Sequence, residues 1–288
     1  METLKNTIAI IRPKQWSKNF FVFIALIFSE KLFEAPAFIT TCIAFTAFCL
    51  AASGIYTIND LFDRELDARH KTKKNRPLAS GKMKSKEAVL LIILLIIASY
   101  GISLFFLNNQ FAYIITFYIL NNIFYSLWLK NIIFLDVLSI ALGFILRAVG
   151  GAVAIDVTIS PWLIVTVFLL TLFIAISKRI LEKKIYQKTG NAPRKVLEHY
   201  NEQKLKRIYA GTVIITLITY TLYTLTSGKN SMFVYTLPFA LFGLYRYYVI
   251  TQKEEEEDNP TNIIIADQPL NLTLLIWIML IIFLLYFA

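Results

Sequence analysis

Apolar residues along this chain run in long uninterrupted blocks rather than alternating with polar ones. A helix needs about 20 mostly apolar residues to cross a bilayer. Nine stretches approach that length: 16–33, 37–58, 87–107, 110–128, 132–154, 160–178, 208–226, 231–250 and 269–287. The first is the most polar, with Lys18 and Asn19 inside it and Lys31 near its end, and the fifth carries Asp136 and Arg147. The ten-residue alternation of a membrane barrel is missing, and in lipid only helices or closed barrels satisfy the backbone. The expected fold is therefore all-α: a polytopic membrane protein of about nine transmembrane helices, one domain over 1–288. Its long polar loops are 59–86, 179–207 and 251–268.

Composition narrows the class. Hydrophobic residues make up 57% of the chain and charged ones 17%, with mean hydropathy +0.61. Soluble domains run nearer half apolar and a quarter charged, which excludes a soluble enzyme, a disordered tail and a disulfide scaffold. Cys42 and Cys49 lie within one apolar block and read as small hydrophobes. The first apolar block lacks a small-residue cleavage site, so no cleavable signal is expected.

The net charge of +10 mostly expresses topology. With nine spans and a cytoplasmic N-terminus, every Lys and Arg except Lys31, Lys229 and Arg147 falls on the inner side, which the positive-inside rule favours strongly. The expected localisation is the cell (plasma) membrane, C-terminus outside. Nucleic acid is not an expected partner, because no basic soluble module with interleaved aromatics is present. The cationic inner face does suit an anionic, phosphate-bearing substrate arriving from the cytoplasm.

The second span ends in Tyr56-Thr57-Ile58-Asn59-Asp60-Leu61-Phe62-Asp63-Arg64-Glu65-Leu66-Asp67. On one continuous helix, positions 56, 60, 63 and 67 share a face. Three carboxylates and the Asn59 amide then gather at a cytoplasmic helix end, where like charges repel and Mg²⁺ would relieve them. A solvated acidic turn is the alternative. The next segment is basic, with His70, Lys71, Lys73, Lys74 and Arg76. It either folds over the acidic tip to meet a bound diphosphate or is an ordinary positive-inside loop.

Asn59-Asp60-x-x-Asp63-x-x-x-Asp67 followed by Lys74-Asn75-Arg76-Pro77-Leu78 resembles the first aspartate motif of the UbiA superfamily of intramembrane prenyltransferases. Further segments resemble its decaprenyl-phosphate phosphoribosyltransferase branch. These are Arg12-Pro13-Lys14-Gln15-Trp16-Ser17-Lys18-Asn19, Asp136-Val137 through Arg147-Ala148, Lys178-Arg179-x-x-Glu182, Arg194 through Tyr200, and Asp267-Gln268-Pro269-Leu270. The likeness implies a helical bundle around a central cavity open to the cytoplasmic side. It also implies Mg²⁺ held by Asn59, Asp60, Asp63 and Asp67, with the three aspartates catalytic.

Most of the superfamily carries a second aspartate cluster at the end of the sixth span, and this chain has Lys178, Arg179 and Glu182 there instead. The resemblance then implies transfer of phosphoribose from phosphoribosyl pyrophosphate to a polyprenyl phosphate. Lys14, Lys18, Lys74, Arg76, Lys178 and Arg179 would meet donor phosphates, and Tyr56, Asp136, Arg147 and Glu182 other parts of the substrates. Alternatives stay open: an intrahelical pair for Lys178 and Glu182, structural pairs for Asp136 and Arg147, prenyl transfer to an aromatic or lipid acceptor, or transport. Asp136 and Arg147 fall on one helix face about 16 Å apart. Trp16 reads as an interfacial anchor, the 179–207 loop with Arg194 and Tyr200 as a lid, and Glu254 to Asp258 as a solvated turn. A homo-oligomer is left open.

Overall fold

The computed structural model describes residues 2–69, 73–189, 196–228, 230–253, 263–264 and 266–288. His70, Lys71, Arg194 and the 254–258 acidic run lie outside them. All regular structure among the described residues is helical. The chain divides into two compact units, Met1–Leu127 with Leu146–Thr158, and Trp128–Ile145 with Ile159–Ala288.

The first unit opens with α1 (Glu2–Ile11), a 3₁₀ stretch Pro13–Val22 and α2 (Phe23–Phe28). Then come α3 (Ala35–Phe62), α4 (Arg64–Ala68), α5 (Ser85–Phe106) and α6 (Asn109–Leu127). Pro36 sits in the first turn of α3, where its missing N–H costs nothing. Along α3, Ala44, Ala47, Ala51, Ala52, Ser53 and Gly54 are buried. Small residues of this kind let helices approach closely in lipid, and α5 packs on them. Its Ser99 hydroxyl donates to the Ala47 carbonyl at 2.8 Å. The rest of α5 is apolar and outward-facing, with Val89, Leu90, Ile93, Leu94 and Ile97 exposed, as a lipid-facing helix requires.

A helix α7 (Leu135–Ala154) gives its first half to the second unit and its second half to the first. The second unit continues with α8 (Pro161–Thr189), α9 (Val196–His199), α10 (Glu202–Thr226), α11 (Leu237–Lys253) and α12 (Gln268–Tyr286). Its core stacks Phe173 on Tyr209, ring centroids 4.6 Å apart. Asp267 caps α12 by accepting from the Leu270 N–H.

Seven described helices or helical stretches are long and apolar enough to cross a membrane. Two of the nine expected spans differ in kind. In the 16–33 stretch, residues 16–22 belong to the 3₁₀ run and 23–28 to α2. Five of the first seven residues of the Pro13–Val22 run, Lys14, Gln15, Ser17, Lys18 and Asn19, are polar, and ten residues is long for a 3₁₀ run. The 110–128 stretch is the 19-residue α6, diluted by Asn121 and Asn122.

Candidate active site

Helix α3 stops at Phe62, and Asp63 takes φ −89°, ψ 7° at its C-cap before α4 restarts. The continuous helix expected through 67 is therefore broken. Asn59, Asp60 and Asp63 carry short polar side chains that compete with helical backbone bonds, which is a reason for the break to fall there. The turn nevertheless brings Asp60 and Asp67 together through one cation. Arg76 donates from one nitrogen to Asp60 Oδ1 at 3.0 Å and to Asp67 Oδ2. Asp60 is 1% exposed and Asp67 4%.

Asp60 Oδ1 also accepts from Arg12, a residue the sequence reading quoted but did not assign to the site. Arg12 stands at φ 53°, ψ 63°, the left-handed region, although a residue before proline is steered to extended backbone. The strain is held from both sides. The Ser53 hydroxyl of α3 donates to the Ile11 carbonyl at 2.9 Å and accepts from the Trp16 indole at 3.0 Å. Trp16 is thus turned into the protein rather than serving only as an interfacial anchor. So fixed, the Arg12 guanidinium lies 5.7 Å over the Tyr56 ring. Non-glycine residues held at positive φ cluster at functional sites.

Among the described residues, the other Asp60 oxygen, Oδ2, is buried without a hydrogen-bond partner. A buried carboxylate oxygen is costly to leave so, and it is a hard donor of the kind Mg²⁺ selects. Among the described residues no three His, Cys, Asp or Glu side chains converge as a complete metal cage, so the expected single line of ligands is not formed. Mg²⁺ does not need such a cage: one or two carboxylates plus substrate phosphate oxygens and water suffice. Asn59 is engaged elsewhere, its Oδ1 accepting from Ser126 of α6. Asp63 is half-buried, Lys18 half-buried, and Lys14 and Lys74 exposed.

Deeper in the first unit, Arg147 is 5% exposed. It donates to Asn19 Oδ1 at 2.6 Å and to the Tyr118 hydroxyl at 2.8 Å. Asn19 and Tyr118 carry no charge, and neither was expected as a partner.

The second unit holds a separate buried cluster. Arg179, 0% exposed, donates to Asp136 Oδ2 at 2.6 Å and to Glu182. Glu182 therefore pairs at i−3 with Arg179; Lys178 is half-buried beside it. Asp136 Oδ1 accepts from the Tyr200 hydroxyl at 2.6 Å, and Tyr200 in turn accepts from the Phe134 N–H. Phe134 is another positive-φ residue, at 65°. Burial, with the Asp136 carboxylate beside it, pushes the Tyr200 phenol well above its ordinary range, so it stays a proton donor. Residues 196–200, part of the 179–207 stretch expected as a lid, pack here: Tyr200 is buried and Lys183 donates to the Leu197 carbonyl at 2.7 Å. Asp136 and Arg147, both on α7, each have their own partners, Arg179 and Asn19.

Seven described helices or helical stretches long and apolar enough to cross a membrane define the class as a helical membrane protein. The profile of the UbiA prenyltransferase family matches residues 19–267, and the chain belongs to that family. It is similar to a decaprenyl-phosphate phosphoribosyltransferase of Mycolicibacterium smegmatis, 32% identical over 94% of this chain and 89% of the relative. A protein of the same name from Corynebacterium glutamicum is 29% identical over 97% and 86%. Among solved structures, a UbiA homolog from Archaeoglobus fulgidus bound to GPP and Mg²⁺ superposes with TM-score 0.75. It is 18% identical and covers 96% of this chain and 99% of its own, a likeness of fold.

Proposed function

We propose that this chain transfers phosphoribose from phosphoribosyl pyrophosphate to a polyprenyl phosphate of the decaprenyl type, at the inner leaflet of the cell membrane. The observation that carries the reading is the length of the likeness: relatives of that name match over nearly all of this chain at 28–32% identity. In this reading the chain crosses the bilayer nine times, counting α6 and the Pro13–Phe28 stretch. At about 2.0 Å per 3₁₀ residue and 1.5 Å per α residue, that stretch reaches at most about 29 Å, near the thickness of the hydrocarbon core. The N-terminus is cytoplasmic, the C-terminus outside, and the donor reaches the site from the cytoplasm.

The acceptor's phosphate oxygen bonds to C1 of ribose as the bond from C1 to the diphosphate oxygen breaks. The nucleophile is already anionic, so no general base is required. Asp60, through its partnerless Oδ2, with Asp63 and Asp67, would hold Mg²⁺. When bound, the ion shields the charge that builds on the departing diphosphate. Arg76 and Arg12 keep the aspartates in place and stand ready to donate to the same diphosphate, with Lys14, Lys18 and Lys74 as the surrounding cations. Asp136, Arg179, Glu182 and Tyr200 satisfy one another and serve as scaffold.

The test is incubation of membranes holding the chain with labelled phosphoribosyl pyrophosphate, Mg²⁺ and polyprenyl phosphate. Label should enter the organic phase only with all three present. Dependence on a prenyl diphosphate and an aromatic acceptor instead would overturn the reading in favour of ordinary prenyl transfer.

A further inference from the structure

We propose that Arg147 is a positioning residue: it clamps the Pro13–Val22 segment, and through it Arg12, Lys14 and Lys18, rather than holding a substrate phosphate itself. The geometry is a matched register. Arg147 meets Asn19, and Gly151 meets Val22, where a Cβ would stand 1.9 Å from the Val22 carbonyl oxygen. Asn19 and Val22 are three residues apart on a 3₁₀ helix; Arg147 and Gly151 are four apart on an α-helix. Both spacings are one turn, and both advance about 6 Å along the axis. The segment and α7 therefore lie turn against turn, with glycine where the backbones touch.

The polar contacts fit a clamp. Asn19 is 0% exposed and also donates to Cys49 Sγ of α3 at 3.2 Å. The Arg147 guanidinium carbon is 4.7 Å from the Tyr118 ring centroid, so a single planar fork serves Asn19, the Tyr118 hydroxyl and the Tyr118 face. Lysine cannot reproduce that fork. Seven residues before Asn19 the chain passes through the strained Arg12 that binds Asp60. A slip at Asn19 is thus transmitted to Arg12 on Asp60 and to Lys14 and Lys18 in the same segment.

The kinetic part of the test rests on the phosphoribosyltransferase reading; the proteolytic part does not. Arg147→Lys and Asn19→Ala are purified in nanodiscs and checked for monodispersity; Asn19→Ala serves alone if Arg147→Lys fails to fold. Both should raise tryptic cleavage at the exposed Lys14 about tenfold relative to the exposed Lys188 of the other unit. Both should raise KM for phosphoribosyl pyrophosphate about tenfold or more, the scale on which misplaced positioning groups act. KM for the polyprenyl phosphate should stay as in the parent, and the double variant should be no worse than the worse single. Unchanged cleavage at Lys14 overturns the clamp. So does a rise in KM for the polyprenyl phosphate in Arg147→Lys alone, which would make Arg147 a phosphate ligand. If the parent transfers no phosphoribose while Lys14 cleavage rises in the variants, the functional reading fails and the clamp stands.

Discussion

Replacing Arg179 by Met separates scaffold from substrate binding in the second unit. The guanidinium is fully enclosed between Asp136 and Glu182. Removing it leaves two buried carboxylates without the cation they share. Breaking a buried ion pair from one side costs about 3–5 kcal/mol. Here the Tyr200 hydroxyl and the Val137 N–H still serve Asp136 Oδ1, which puts the loss at about 3 kcal/mol, the lower end of that range. For a chain of this length one kcal/mol moves Tm by about 2 °C, so Arg179→Met should melt about 6 °C below the parent in the same detergent. A cycle with Asp136→Asn tests the partner. The two changes should fall short of additivity by about 1–3 kcal/mol, as contacting residues do. A Tm within 1 °C or so of the parent, far below that scale, together with weakened donor binding would refute the argument. Arg179 would then belong to the donor phosphates.

Substitutions at Gly151, Gly211, Asp60 and Asp267 have further expected outcomes. Gly151→Ala should lower stability by about 3 kcal/mol or more, the top of the range for overpacking, because the obstacle is a backbone oxygen. Gly211→Ala, where nothing lies within 4 Å, should be neutral or stabilising by up to about 1 kcal/mol, and thermal melts of the two compare them directly. Asp60→Asn should cut turnover about 10²–10³-fold, the range for a preorganised electrostatic group; normal turnover would remove Asp60 from the chemistry. Asp267 accepts from Arg246 at 2.8 Å and caps α12, and the Arg246 bond holds its carboxyl below the usual range. A depressed folded pKa gives stability that is present above the ordinary carboxylate range and lost as pH falls through the lowered value. Asp267→Ala should therefore cost about 1 kcal/mol at neutral pH, and the gap to the parent should close in acid.

The spacing of Asp60 and Asp67 and the basic segment ending at Arg76 were legible in the sequence because they are local: the ion pairs span 16 and 9 residues. Helical class and membrane character were legible for the same reason, since apolar blocks carry their own length. What stayed hidden depends on distant parts of the chain. Arg12 reaches Asp60 across 48 residues and Arg147 reaches Asn19 across 128. Arg179 and Asp136 are 43 apart. Spacing along a helix suggested Lys178 for Glu182, which instead pairs with Arg179 one residue on; for Asp136 and Arg147 it gave a common face but not their partners, Arg179 and Asn19.

The first membrane stretch shows why hydropathy alone could not have resolved its form. The polar residues of the Pro13–Val22 run, Lys14, Gln15, Ser17, Lys18 and Asn19, make it a poor apolar α-helix, and composition gives no reason for any other helix. The reason lies in what it must touch. An Asn buried in apolar surroundings is costly unless its amide is satisfied, and Arg147 in the membrane interior carries the same requirement. Laid one turn against one turn, the two satisfy each other, and Gly151 supplies the close approach that the pairing needs. The Arg12-Pro13 junction directs the chain into that register, and Ser53 holds it on both sides. Each feature alone, a buried arginine, a strained residue before proline or a glycine in a helix, is unfavourable. Together they fix the Pro13–Val22 segment and seat Arg12, at its start, on Asp60.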